Sequence, residues 1–266
     1  MRISFLIFIL GSIVGSFLNV CIYRMPREES IVLPPSHCPN CKKPIPWFYN
    51  VPLISYILLK GRCRFCSTRI SFRYFIVELI TAVIFLMLFN HYGFSIKFFI
   101  YTALTSSLIA ATFIDFEHQI IPDEITLGGL VVGLILSIIY PALHSISSST
   151  VWHNLGLSLL QSVIGMIAGG GAIYLIGVIG TWLFRKDSMG GGDVKLMAML
   201  GAFLGWKLAL LIIVLGAFLG SIFGIISLIK NKSHVIPFGP YLSLGAFLCI
   251  LYGDEMLQWI MRYMGI

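Results

Sequence analysis

Long apolar stretches separated by short polar ones dominate the chain, falling at about 3–22, 74–90, 96–114, 125–140, 155–184, 194–205, 208–229 and 238–260. Most approach the ~20 residues that an α-helix needs to cross a hydrocarbon layer. The pattern predicts an all-α, polytopic membrane protein with about eight transmembrane helices. Segment 194–205 is short for a span and suits a thinned or water-filled site better than a lipid-facing one. The first stretch is longer than a signal-peptide core. It runs past Gly11-Ser12 and Gly15-Ser16 through Phe17-Leu18-Asn19-Val20-Cys21-Ile22 and reads as a retained span.

Composition agrees with this reading. Of 266 residues, 58% are hydrophobic and 11% charged, with a mean hydropathy of +0.94, which excludes an ordinary soluble domain. The 26 glycines suit close helix packing in lipid. A net charge of +7 could suggest nucleic acid, but Arg24, Arg27, Lys42, Lys43, Lys60, Arg62, Arg64, Arg69 and Arg73 gather in one loop. Membrane orientation accounts for them, and no nucleic-acid partner is expected. The positive-inside rule places loop 23–73 in the cytoplasm. With eight crossings, the turns at 115–124, 185–195 and 230–234 share that side. Polar 145–150 reads as a flexible external connection. Three parts follow: a first span (1–22), a cytoplasmic loop (23–73) and a transmembrane core (74–266).

Four of the six cysteines form Cys38-Pro39-Asn40-Cys41 and Cys63-Arg64-Phe65-Cys66, with 21 residues between the pairs. Such knuckles suit a tetrahedral Cys₄ zinc site, since each short turn aims two thiolates at one ion. Lys42, Lys43, Arg62 and Arg64 are close enough in sequence to favour the thiolate form. Disulfides fit a cytoplasmic loop poorly, and no βαβ pattern supports a redox pair. His37 could replace a ligand, although four cysteines already close the site. The loop is proline-rich with little periodicity, and a structural Zn²⁺ would staple it. Cys21 and Cys249 lie inside apolar runs and read as small buried hydrophobes.

Only eleven acids occur, so each one near an apolar segment can be weighed. Glu78 lies one turn into the second segment. Burial makes it a functional candidate, and pairing with Arg73 or Arg69 is the alternative. Asp123 follows Pro122 and reads as an N-cap; Glu117 and His118 read as solvated, and Asp254 and Glu255 as isolated. Asp115 ends an apolar run. Asp193 follows Gly190-Gly191-Gly192, where backbone can approach a substrate closely. Read as a plain helix start, Asp193 would instead N-cap a helix beginning at Val194.

By parity Asp115 and Asp193 face the same side. Two carboxylates that share a proton at a membrane edge can hydrolyse a peptide, one activating water while the other polarises the carbonyl. A helix N-terminus favours the ionised form, which makes Asp193 the expected water-activating partner. No His-Glu-x-x-His occurs, and no serine–histidine pairing sits on one cytoplasmic turn. An ion path would call for charge near the bilayer midplane, and an assembly scaffold would use the zinc loop alone.

Gly190-x-Gly192-Asp193 matches the motif of the Gly-x-Gly-Asp membrane aspartyl proteases. The chain as a whole resembles bacterial type IV prepilin peptidases, which are leader peptidases and N-methyltransferases. The match extends over Gly15-Ser16-Phe17-Leu18-Asn19-Val20, Tyr23-Arg24-Met25-Pro26, the cysteine knuckles and Asn50-Val51-Pro52-Leu53-Ile54-Ser55-Tyr56. It continues through Arg73-Tyr74 with Glu78, Ile114-Asp115, Ile121-Pro122-Asp123 and Ile236-Pro237-Phe238-Gly239-Pro240-Tyr241. The resemblance implies a multi-pass protein of the bacterial inner membrane whose active site faces the cytoplasm. It implies removal of a basic leader, after a glycine, from type IV prepilins or from pseudopilins of type II secretion. Methylation of the new N-terminus with S-adenosylmethionine would follow. The family's catalytic aspartates fall on Asp115 and Asp193. Methyl transfer is associated with the first loop, where Gly61 and Arg62 occupy a Gly-Lys or Gly-Arg position, with Glu78 a further candidate. Gly190, Gly191 and Gly192 are expected to lie against the substrate glycine, and membrane lipid surrounds the spans. Since 77 residues lie between the two aspartates, only the fold can bring them together.

Overall fold

The computed structural model describes residues 2–38, 40–144, 146, 151–185, 189–229 and 237–264. Pro39, most of the connection 145–150, part of the turn 185–195, the basic turn 230–234 and Ile236 lie outside the described residues.

Among the described residues there are eight α-helices: α1 (Arg2–Arg24), α2 (Ile54–Leu58), α3 (Arg73–Tyr92), α4 (Ile96–His118), α5 (Asp123–Ile139), α6 (Val151–Phe184), α7 (Gly191–Ile229) and α8 (Gly239–Met264). Among the described residues there is no strand, only two isolated bridges. A helix satisfies its own backbone groups, as a chain in lipid must. Six of them (α1, α3, α4, α6, α7 and α8) are long and apolar enough to cross a membrane. This is the build of a multi-pass membrane protein.

The difference from eight expected spans has two causes. The 17 residues of α5 extend only about 26 Å at 1.5 Å each, short of a ~30 Å hydrocarbon core. Segments 194–205 and 208–229 run on as one helix, α7, interrupted at Gly205 with φ 77° and ψ 169°.

The chain divides into two compact units, Met1–Ile114 and Asp115–Ile266. In the first, α1 packs along α3 at two glycines. A Cβ on Gly11 would stand 2.7 Å from Ala82 Cα, and one on Gly15 2.7 Å from Glu78 Cα. Asn19 Nδ2 ties the same seam, donating to the carbonyls of Tyr74 (3.0 Å) and Gly15 (3.3 Å). Arg24 is buried and donates to the Ser30 and Pro34 carbonyls at 2.8 and 2.7 Å, fixing the start of the loop.

In the second unit, α6 packs against both arms of α7. Gly165 and Gly201 are each pressed against the other's carbonyl, the close approach that small residues permit between membrane helices. A Cβ on Gly169 would lie 2.5 Å from Met197 O and 3.3 Å from Ala209 Cβ. Those two atoms are therefore within about 6 Å, whereas a straight helix holds residues twelve apart at about 18 Å. Thus α7 doubles back at Gly205, where a positive φ suits glycine. The short sixth segment is the first arm of this hairpin. The second arm lies antiparallel to α8, with Gly216 against Leu242 and Gly253 against Leu208.

Candidate active site

Asp115 stands in the last turn of α4 and Asp193 in the first turn of α7. Both are buried, at 6% and 8% exposure. Their surroundings meet at Ile121, which lies against Gly192 beside Asp193 and against Gly239 beside Asp115, and the Asp193 charge is felt at Asp115.

Each carboxylate is held by a backbone amide. The helix carrying Asp193 begins at Gly191 rather than Val194, so Asp193 is its third residue and not its cap. The glycine run is already helical, and it has no side chain to cap with. The Asp193 carboxylate reaches back to accept from the Gly190 N–H, while the Asp193 N–H donates to Gly190 O at 3.2 Å. This is the acid's half of a capping box. Asp115 is held from α8: the Gly239 N–H donates to its carboxylate, and Oδ2 lies 2.6 Å from where a Cβ on Gly239 would stand.

Ile121 forms the apolar wall between these elements. Its Cβ is 3.1 Å from the Cβ position of Gly192, and its Cδ1 is 3.0 Å from that of Gly239. Burying two carboxylates costs free energy unless they are paired and hydrogen-bonded. With one amide each and the Asp193 charge felt at Asp115, the arrangement suits a pair in which one carboxylate serves as acid and the other as base.

Gly190 and Gly191 are exposed, Gly192 half-buried. Nothing stands within 4 Å of the Cβ position on Gly191. Beside it an apolar groove of about 440 Å³ runs between α6 and the start of α7, lined by Ile173, Tyr174, Val178, Trp182, Gly191 and Val194 among others.

Asp123 does not cap α5. It is the first helical residue, Pro122 holds the cap position, and no side-chain cap bond forms. Lys195 Nζ takes the carboxylate instead, at 2.7 and 2.8 Å to its two oxygens. Glu117 and His118 are exposed, as expected, and Asp254 and Glu255 are exposed as well.

In the first unit the sulfurs of Cys38, Cys41, Cys63 and Cys66 all lie within 4.8 Å of one another. None is in a disulfide. Cys38 Sγ and Cys66 Sγ are 3.7 Å apart. Thiolates about 2.3 Å from a central ion stand about 3.8 Å from each other, so the cluster can hold a metal. The two knuckles repeat one backbone design. The Cys38 and Cys63 amides donate to Lys43 O (3.0 Å) and Thr68 O (2.9 Å), and Lys42 and Ser67 share a φ of 58°. The Cys66 thiol is lowered to about 5, first by the Thr68 hydroxyl, then by the Thr68 amide and, after burial's opposing effect, by Asn40. These neutral donors, rather than the neighbouring lysines and arginines, favour its thiolate. His37 lies outside the cluster, with Nδ1 3.0 Å from Pro35 O.

Glu78 is buried at 8% exposure. Its partners are neutral rather than Arg73 or Arg69: the Leu53 N–H donates at 2.7 Å, and the Ser16 hydroxyl also donates. Leu53 centres a γ-turn with φ 63° and ψ −52°, closed by Ile54 N–H to Pro52 O at 2.6 Å. That form is rare and strained. Gly61 turns at φ 64° beneath Tyr56, whose Oη is 2.8 Å from its Cβ position. Arg62 is exposed and bridges to Arg69 through the backbone. The contacts of Gly61 and Arg62 stay within the loop, whereas those of Glu78 reach Leu53 and Ser16.

Residues 9–92 match the family model described as Bacterial Peptidase A24 N-terminal domain, and residues 102–225 match that of the Type IV leader peptidase family. A Pseudomonas putida protein named Prepilin leader peptidase/N-methyltransferase is 35% identical over 97% of this chain and 93% of its own. The chain belongs to the type IV leader peptidase family. Similar proteins of the same name come from Aeromonas salmonicida (strain A449), 34% identical over 96% of this chain and 92% of its own, and from Legionella pneumophila, 33% identical over 94% and 91%. No solved structure matches. The cysteine cluster and Glu78 fall in the segment matching the N-terminal domain; Asp115 and Asp193 fall in the segment matching the leader peptidases.

Proposed function

We propose that this chain is a membrane aspartyl endopeptidase that removes the leader from type IV prepilins or pseudopilins and methylates the amino group so exposed. The buried, interacting pair Asp115 and Asp193 carries the reading. Asp193 takes a proton from water as its oxygen attacks the scissile carbonyl, and Asp115 gives its proton to the carbonyl oxygen. As the C–N bond of the tetrahedral adduct breaks, Asp193 passes its proton to the leaving amine and Asp115 takes one back from an adduct hydroxyl, which becomes the carbonyl of the new carboxyl group. The open backbone at Gly190, Gly191 and Gly192 receives the residue before the cut, and the groove beside Gly191 takes the apolar segment after it. The basic loop 23–73 sets the site at the cytoplasmic face of the inner membrane.

Cys38, Cys41, Cys63 and Cys66 hold a structural Zn²⁺, which their mutual distances fit. S-adenosylmethionine is the methyl donor. Methyl transfer belongs to loop 23–73 with its Gly61 and Arg62, joined by Glu78 from the start of the core 74–266, and cleavage belongs to the rest of that core. Glu78 suits the amine: a buried carboxylate with only neutral donors among the described residues can hold an ammonium group or take its proton.

The test is incubation of the purified protein with a prepilin, followed by mass spectrometry for the shortened, methylated product. Asp115→Asn and Asp193→Asn each abolish cleavage; full cleavage by either sinks the assignment. Glu78→Gln keeps cleavage and loses methylation. A shared proton found on Asp193 rather than Asp115 would reverse their roles. Normal cleavage by Gly191→Leu would remove the glycine contact.

A further inference from the structure

We infer that the Asp123–Lys195 ion pair is a clasp that sets the spacing of Asp115 and Asp193, which makes both its members positioning residues for cleavage. The inference rests on the proposed role of the two aspartates. Asp123 lies eight residues beyond Asp115, and Lys195 two residues beyond Asp193. The pair therefore closes a ring of chain: the end of α4, the turn 119–122, the ion pair, and the first turns of α7. Each carboxylate stands on one side of that ring.

The turn 119–122 is irregular. It opens at Gln119 with φ 55° and reaches α5 without regular structure. Two links hold it to α7: Ile121 against Gly192, and Asp123 against Lys195. The first is a contact that can slide. The second brings Lys195 Nζ to 2.7 and 2.8 Å from the two Asp123 oxygens and so limits how far the turn can move from α7.

Stability alone does not account for the pair. Both side chains are exposed, at 41% for Lys195 and 56% for Asp123, and exposed ion pairs contribute little to folding. A lysine near the start of a helix gains nothing from the helix dipole. What the pair does fix is the distance between two chain segments that carry reacting groups, where a misplacement of about 1 Å can cost about 100-fold in rate.

The experiment uses full-length protein in lipid vesicles with a prepilin substrate. Asp123→Asn and Lys195→Met are each expected to lower kcat by about 10- to 100-fold, with KM and thermal unfolding little changed. Lys195→Arg, which keeps a two-point pair, retains most of kcat, and the exchange Asp123→Lys with Lys195→Asp recovers most of the loss. Wild-type kcat in both single variants overturns the clasp, as does an equal loss in Lys195→Arg and Lys195→Met. Asp115→Asn in the same preparation separates the two ideas. If the wild type cleaves, Asp115→Asn does not, and the single variants cleave normally, the clasp alone fails. If the wild type does not cleave, the peptidase reading fails and the clasp falls with it.

Discussion

The Asp115 carboxylate rests on the bare backbone of Gly239, closer than any side chain at position 239 would allow. Its Oδ2 would meet an added Cβ at 2.6 Å while accepting the Gly239 amide. Gly239→Ala should therefore push the carboxylate off its amide and away from Asp193. A loss of about 100-fold in kcat is expected, against about 1–3 kcal/mol of overpacking. Prepilin cleavage set beside thermal unfolding separates the two effects, and a wild-type rate in Gly239→Ala would count against this contact.

Metal removal should act on the loop before it acts on the spans. The cluster cross-links two knuckles in a segment with little helix of its own, and such small segments draw folding free energy from their metal. Elemental analysis should find one zinc per chain, lost when all four cysteines become serine. Limited proteolysis of the variant should then cut within 25–72 while the spans stay protected. Unchanged protection of the loop would refute the staple.

The crossing of α6 and α7 should tolerate no side chain. Gly165 and Gly201 each press on the other's carbonyl, so Gly201→Leu has to separate the helices. A loss of about 1–3 kcal/mol or more is expected, read as a lower unfolding temperature in detergent. Gly171 has nothing within 4 Å of its Cβ position, and Gly171→Leu should unfold like the wild type.

His144 should make stability depend on pH. Burial lowers it from 6.5 to about 4, and Nε2 is buried without a partner. Between these values the unfolded chain binds a proton that the folded chain refuses. The contribution of the neutral ring is thus complete above pH 6.5, declines as pH falls towards about 4, and changes no further below that. Unfolding temperatures of the wild type and His144→Leu measured from pH 7.5 to 4 should diverge in that window, and parallel curves would exclude the effect.

The helices and both site clusters were legible in the sequence because burial of apolar runs and ligand spacing are local signals. Cys38 to Cys66 and the pair Asp115 and Asp193 needed only spacing, parity and motif. What escaped depended on partners far away in the chain. Asp123 carried a good cap signal, but Lys195, 72 residues on, competes for the same carboxylate. The exact place of Asp193 in its helix needs the structure, because nothing in a glycine run says where the first helical turn begins. Glu78 was weighed against Arg73 and Arg69 since only the γ-turn at Leu53 puts an amide within 2.7 Å of it. Ile121 and Gly239 lay inside recognised motifs, yet their contact needs three elements to meet. Segments 194–205 and 208–229 are the two arms of one folded-back helix, a join at Gly205 that apolar runs alone do not reveal.

That fold-back has a wider reach than its own two arms. Were α7 straight, the 36 residues from Asp193 to its end would carry the chain about 54 Å away before α8 could begin. Because α7 reverses at Gly205, the chain comes home and Gly239 arrives beside the aspartate that it steadies. One glycine at the tip of the hairpin thus decides on which shore the last helix sets out. A reporter fused beyond Met264 would register that choice as a change of compartment.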